Sequence, residues 1–192
     1  MLAYQGRLEE ATAQFEIAER LDPFWVSPTT IDRGYVHALR GESEQALTAW
    51  DRALELAPNY YRTHMHVGNY SCRTGAHEKG IASLERARAL SPDDPHVIAN
   101  LGYCHAISGK PAEAHRFLDE LERLSRKGYV SPMAQALIRV GLGEHDEALD
   151  ALERAYDARA LMLTSIRMDP RYRPLRSDPR FADLLRRIGL SG

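Results

Sequence analysis

Small and large apolar residues recur along most of the chain at fixed distances from a glycine. The glycines stand at positions 6, 41, 75, 109 and 143, so the period is 34 or 35 residues. A small residue follows each glycine after five positions, and a large apolar residue follows four positions later. The small residues are Ala11, Ala46, Gly80, Ala114 and Ala148, and the large ones are Phe15, Trp50, Leu84, Leu118 and Leu152. Because this spacing places both types on one helix face, the pattern predicts an amphipathic helix after every glycine.

A second set of small residues predicts another helix before each internal glycine. These residues lie seven positions upstream and are Gly34, Gly68, Gly102 and Ala136. The glycine between the two helices can adopt the left-handed conformation that ends a helix at little steric cost. The prolines Pro23, Pro58 and Pro92 close the first three units, since proline interrupts a helix. Each unit is therefore predicted to be a helix A, a tight turn and a helix B.

The repeats divide the chain into three regions. We expect residues 1–22 to be half a repeat with helix B only, and residues 26–160 to form four complete repeats. Residues 161–192 depart from the pattern and are expected to be a C-terminal cap. Within this region Ser177, Asp178 and Pro179 are typical of a helix start, and Phe181 and Leu184 follow at helical spacing. A capping helix would cover the last apolar face of the array.

Composition adds few restrictions. The chain has 192 residues, a net charge of −2 and 44% hydrophobic residues, which are ordinary values for a globular protein. The chain has no overall excess of basic residues that would favour nucleic acid, although positions 167–187 contain seven arginines and only three aspartates. Cys72 and Cys104 are too few for a disulfide framework, and we expect both to be unpaired small residues in helices. Neither a membrane-length apolar run nor a signal peptide is visible, so a cytoplasmic location is the default expectation.

The sequence contains no complete catalytic motif. Gly109 and Lys110 suggest a phosphate-binding loop, but Pro111 occupies the position of the Ser or Thr that binds magnesium. His77 and Glu78 begin a zinc-protease motif, but Ile81 occupies the position of its second histidine. The eight histidines have no metal-ligand spacing. We therefore expect no enzyme, no cofactor and no metal site.

The repeating positions resemble the tetratricopeptide repeat family over roughly residues 1–160. The best units read GYVHALRGESEQALTAWDRALELAP and LGYCHAISGKPAEAHRFLDELERL. The resemblance implies an all-α fold, a right-handed α-solenoid of antiparallel helix pairs. The ending, with YVSPMAQALIRVGLGEHDEALDALERAYDARA before it, looks like the C-terminal part of large bacterial multidomain regulators. In such proteins the repeats follow a winged-helix, kinase or cyclase module.

The family resemblance also implies a binding surface, because its A helices line a concave groove that receives peptides. The helix register then selects the candidate groove residues. They are Tyr35, Arg62, Met65, His66, Asn69, Arg73, His96, Asn100 and Tyr103. Tyrosine and arginine are common in interface hot spots, and methionine adapts to varied partners.

Three functions remain open from the sequence. The leading hypothesis is an interaction module that binds a peptide or protein segment in the groove. Family members that grip acidic chaperone tails use lysines on successive A helices, and lysine is absent from the matching positions here, which hold Ile31, Tyr35, His66, His96 and Asn100. Alternatively, the chain is the sensory or assembly region of a larger regulator, or it forms a homodimer through residues 1–22. Membrane and nucleic-acid partners are not expected.

Overall fold

The computed structural model describes residues 7–21 and 28–190, and its elements are helices. Helix α1 spans Leu8–Leu21, and eight helices follow in four consecutive pairs. These are α2 (Pro28–Arg40) with α3 (Ser43–Leu56), α4 (Tyr61–Arg73) with α5 (His77–Leu90), α6 (Pro95–Ile107) with α7 (Pro111–Ser125), and α8 (Pro132–Leu142) with α9 (His145–Asp157). The all-helical repeat fold expected from the sequence is confirmed. Pro23 and residues 1–6 lie outside the described part of the chain.

The turn glycines have the backbone conformation that the pattern predicts. Gly41, Gly75, Gly109 and Gly143 have φ between 77° and 91°. A side chain would be strained in this left-handed region, so glycine at these four positions allows each pair to turn sharply.

Close approach between helices explains the small residues. A Cβ atom added to Gly80 would lie 2.7 Å from the carbonyl oxygen of Gly68. Gly34 similarly makes room for Trp50, whose indole nitrogen donates to the carbonyl oxygen of Ile31 at 3.1 Å. Trp50 is buried, with 1% of its surface exposed. The small and large positions of the repeat are therefore the two sides of one packing contact.

The first helices of the pairs form an inner row. Helix α2 contacts α4, α4 contacts α6, and α6 contacts α8. Two cysteines join this row, because Cys72 of α4 and Cys104 of α6 form a disulfide with Cα atoms 5.7 Å apart. The expectation that both cysteines are unpaired was wrong, since they lie on adjacent helices of the row.

The residues after α9 form a C-terminal segment, which we define as residues 161–190. It contains two short 3-10 helices, Leu161–Ser165 and Pro170–Leu175, and then α10 (Pro179–Arg187). Phe181 and Leu184 of α10 are buried in one core with Leu149 and Leu152 of α9. The expected capping helix is present. Among the described helices, none is long and apolar enough to cross a membrane.

Candidate functional site

The inner row borders a cavity of about 180 Å³. Seven of the nine predicted groove residues lie in its wall. They are Tyr35, Arg62, Met65, His66, Asn69, His96 and Asn100. The helix register therefore brought together side chains from α2, α4 and α6 that are far apart in the sequence.

The opposite wall of the cavity comes from the C-terminal segment, for which the sequence pattern predicts only a capping role. Met162, Ser165, Asp169 and Arg171 line it, together with Asp94 at the start of α6 and Tyr61 at the start of α4. Three Asp-Pro pairs, at positions 94, 169 and 178, each begin a helix in this structure. This local signal predicts where a helix starts, but it does not predict that two of these carboxylates face one cavity.

Arg171 fixes the C-terminal segment in the groove. Its Nη1 donates to Oδ1 of Asn100 at 2.8 Å, and its Nε donates to both carboxylate oxygens of Asp169 at 2.9 Å. Its guanidinium carbon lies 5.9 Å from the ring centroid of Tyr103. Asn100 also donates to the carbonyl oxygen of His96 at 2.7 Å. Two predicted groove residues, Asn100 and Tyr103, thus already have a partner within the chain.

Burial and charge act in opposite directions on this ion pair. Burial raises the pKa of Asp169, but the charge and hydrogen bonds of Arg171 outweigh burial and lower that pKa overall. Burial lowers the pKa of Arg171, and Asp169 more than compensates, so that pKa is raised. Both groups are therefore charged, and only 4% of the Asp169 surface is exposed. A buried charge needs such a partner to remain ionised.

His66 is neutral at physiological pH. Its ring lies 5.9 Å from that of Tyr35 and 6.2 Å from that of Trp50, measured between centroids. Burial lowers the pKa of His66 to about 4, and the charges of Arg171 and Arg62 add to this effect. A neutral imidazole can donate one hydrogen bond and accept another.

Asn69 and Arg73 lie one turn apart on α4 and have unused hydrogen-bonding capacity. Oδ1 of Asn69 is buried and accepts no hydrogen bond. Arg73 lies against the ring of Tyr70, with its guanidinium carbon 5.9 Å from the centroid. Among the described residues, no carboxylate lies within ion-pair distance of Arg73, and burial lowers its pKa. Within residues 7–21 and 28–190, an acceptor and a donor on one helix face thus lack hydrogen-bond partners. Of the two, Asn69 lines the cavity and Arg73 does not.

A second, more apolar hollow adjoins the cavity and shares Arg62, His96 and Asn100 with it. It includes two large side chains that are mostly exposed, Tyr129 at 71% and Leu161 at 74%. The C-terminal segment borders both spaces, because Met162, Ser165, Asp169 and Arg171 line the small polar cavity and the wider apolar hollow alike.

Comparison with known proteins agrees with this architecture. Residues 31–95 match the family model described as Tetratricopeptide repeat, which supports the assignment of this stretch to that family. The crystal structure of the APC/C hetero-tetramer Cut9-Hcn1 superposes on 95% of this chain with a TM-score of 0.64. The sequence identity is 20% and the match covers 40% of that chain, so the likeness shows the fold.

Two curated relatives are much longer proteins. Anaphase-promoting complex subunit 3 of Schizosaccharomyces pombe is 24% identical over 137 residues, which are 71% of this chain. Cellulose synthase 2 operon protein C of Komagataeibacter xylinus is 32% identical over 110 residues, or 56% of this chain. The matches cover 20% and 8% of the two relatives, respectively. The comparisons do not show the resemblance of the C-terminal part to bacterial regulators.

Proposed function

We propose that this chain is a protein-interaction module whose cavity between the inner row and the C-terminal segment receives a segment of a partner protein. Tetratricopeptide repeat proteins generally mediate protein–protein interactions and assembly, and repeats of this kind form extended concave binding surfaces. The observation that carries the proposal is the unpaired Oδ1 of Asn69 in the cavity wall, with the guanidinium of Arg73 one turn further along α4, outside the cavity lining.

The chemistry of these two groups suits a peptide bond. An amide N–H of the partner would donate to Oδ1 of Asn69, and an amide carbonyl would accept from the guanidinium of Arg73. Leaving a buried acceptor unpaired costs about 1–3 kcal/mol, so a ligand that pairs it gains affinity. The adjoining apolar hollow, with Tyr129 and Leu161 exposed, would receive a large apolar side chain of the same segment.

A photo-cross-linking amino acid placed inside and outside the cavity tests the proposal. Met65 lines the cavity and Lys79 lies exposed on α5. We expect cross-links from position 65, mapped by mass spectrometry to one contiguous partner segment, and none to that segment from position 79. Equal labelling of the same segment from both positions would contradict the proposal.

A matched pair of double variants separates binding chemistry from general surface effects. Asn69→Ala with Arg73→Ala removes the two unused groups, and we expect binding of the cross-linked partner to weaken about tenfold. Gln135→Ala with Arg154→Ala removes a similar pair, joined at 3.1 Å between α8 and α9 outside the cavity. If this control weakened binding equally, the cavity would not be the site.

Two other roles stay compatible with this proposal. The small share of each relative that the chain covers is consistent with an assembly region of a larger protein. Self-association through residues 1–22 is supported by Ile17 and Leu21 of α1, which are 42% and 81% exposed. Sedimentation of the wild type beside an Ile17→Glu, Leu21→Glu variant tests it, since a dimer built on α1 would become a monomer. Residues 1–6 and 22 of this region lie outside the described residues.

A further inference from the structure

A second surface of the C-terminal segment, which shares no lining residue with the cavity, combines positive charge with an apolar floor. Arg173 and Arg176 line a hollow. Its floor includes Leu39 of α2, Leu185 of α10 and Met168 of the C-terminal segment. We call this surface the arginine-lined hollow. Its lining residues come from both the first helix pair and the last helix, so the hollow forms only when the whole array is folded.

Two arginines of this surface, Arg173 and Arg176, form no ion pair with a described carboxylate, unlike their neighbours. Arg171 pairs with Asp169, and Arg180 pairs with Asp150 and Glu153 of α9. Near the arginine-lined hollow, Asp183 already pairs with both Arg186 and Arg187. Within the part of the chain that the structure describes, no carboxylate lies within ion-pair distance of Arg173 or Arg176, and Nη2 of Arg176 donates to the carbonyl oxygen of Arg167 at 2.8 Å. The whole chain has a net charge of −2, so this patch has the sign opposite to that of the molecule.

The floor of the arginine-lined hollow is apolar. Phe181 and Leu184 of α10 are turned into the core with 1% of their surface exposed, whereas Leu185 is only partly buried. Leu39 and Met168 are likewise only partly buried and border the same hollow. Partly exposed apolar side chains surrounded by charges of one sign are typical of an interaction surface.

We infer that the arginine-lined hollow binds an acidic amphipathic segment of a partner protein. Leucine-like side chains of that segment would pack on Leu39, Met168 and Leu185, and its carboxylates would accept hydrogen bonds from Arg173 and Arg176. Arginine suits this contact because its planar guanidinium can bind a carboxylate through two parallel hydrogen bonds. A nucleic acid would use the arginines but would gain little from the apolar floor. This inference does not depend on the function proposed for the cavity.

A synthetic helical peptide tests the inference without knowledge of the native partner. It has leucines at positions i, i+3, i+4 and i+7, glutamates elsewhere and a fluorescent label. The charge-reversed variant Arg173→Glu, Arg176→Glu should bind this peptide about tenfold more weakly than the wild type, because two ion pairs are replaced by repulsion. The variant Arg173→Lys, Arg176→Lys should keep part of the affinity, because it keeps the charge but loses the paired hydrogen bonds.

Three controls make the outcome decisive. Arg116→Glu with Arg123→Glu changes the net charge equally on exposed positions of α7 and should leave binding unchanged. Leu185→Ser should weaken binding of the leucine-containing peptide but not of an all-glutamate peptide, provided that its helical signal and melting curve match the wild type. Leu39→Ser, on a different helix, repeats the test if Leu185→Ser unfolds.

Other results would overturn the inference. An equal loss with the α7 variant would show a general charge effect, and indifference to both leucine variants would exclude the apolar floor. Tighter binding of a short DNA duplex than of the peptide, with the same arginine dependence, would assign the surface to nucleic acid instead.

Discussion

Arg171 and Asn100 are 71 positions apart in the sequence, and the arginine donates to the asparagine side chain at 2.8 Å. This bond attaches the C-terminal segment to α6 in the middle of the array. It converts the inner face of a repeat array into a cavity with walls on two sides. Asp169 pairs with the same guanidinium and holds it in place. Replacing Arg171 therefore gives the clearest test of this architecture.

Replacement of Arg171 by methionine should destabilise the protein by about 3–5 kcal/mol, because it leaves the carboxylate of Asp169 buried without a partner. Adding Asp169→Leu to the same chain should restore part of this loss, since the unpaired charge is then absent, while the hydrogen bond that Asp169 accepts from the backbone N–H of residue 171 is lost. Urea unfolding monitored by circular dichroism measures both variants. If the single variant were as stable as the wild type, Arg171 would not be buried against Asp169 in solution.

His66 should make the stability depend on pH between about 4 and 6.5. The folded protein lowers the pKa of His66 to about 4, whereas an unfolded histidine titrates near ~6.5. Between about pH 6.5 and 4, His66 is protonated in the unfolded chain but neutral in the folded protein. The free energy of unfolding therefore has its full value above about pH 6.5 and falls by up to about 3 kcal/mol as the pH approaches 4.

The variant His66→Gln should lack this part of the pH dependence, and comparison with the wild type by urea unfolding at several pH values isolates it. If the free energy of unfolding depended on pH in the same way for the wild type and His66→Gln between about pH 4 and 6.5, His66 would not be neutral in the folded protein.

Asp169 contributes to the pH dependence of stability in a different, more acidic range. Its folded pKa is lowered, so its contribution is present above the unfolded pKa of about 3.9 and is lost as the pH falls through the folded value.

The disulfide between Cys72 and Cys104 should make the protein sensitive to reductant. The two residues are 32 positions apart, and closing a loop of this length stabilises a fold by about 3–4 kcal/mol in the chain-entropy estimate. We expect a lower melting temperature after reduction, and a thiol titration in denaturant that rises from none to two per chain. The double variant Cys72→Ala, Cys104→Ala should melt at the same temperature with and without reductant. If the untreated protein already has two titratable thiols, the bond is absent.

Gly80 should tolerate no side chain, although alanine is usual at this place in the family that the repeats resemble. An added Cβ would lie 2.7 Å from the carbonyl oxygen of Gly68, which is backbone and cannot move aside alone. Gly80→Ala should therefore cost about 1–3 kcal/mol. Gly128→Ala is the matched control, because nothing lies within 4 Å of its added Cβ, and it should be neutral or slightly stabilising. Thermal melting of both variants side by side checks the difference.

The periodic part of the structure was predictable because it depends on neighbours at fixed sequence distances. Gly41 and Gly75 reverse the chain, and the contact between Gly34 and Trp50 follows from their places in one repeat. The helix register for the same reason placed Met65 and Asn69 beside one cavity. The A-helix register was thus sufficient to bring most of the predicted groove residues to one place.

The contacts of the C-terminal segment could not be predicted in this way. Arg171 lies outside the repeat, so no register relates it to Asn100, and only packing in three dimensions brings them together. The disulfide was missed for a different reason. Cys72 and Cys104 are nearly one repeat apart, which places them on adjacent helices of the inner row, but two cysteines at this distance match neither a disulfide framework nor a metal-ligand spacing.

The position of the C-terminal segment also has a mechanical consequence. An array of helix pairs can change its superhelical pitch by small rotations between neighbours. Here Arg171 is hydrogen-bonded to Asn100 of α6, and Arg173 and Arg176 line the same hollow as Leu39 of α2, so the C-terminal segment reaches both the first and the third helix pair. Rotation of α2 relative to α6 would disturb this arrangement. The first three helix pairs should therefore behave as a stiff body with a fixed curvature, and a partner would bind without winding or unwinding them.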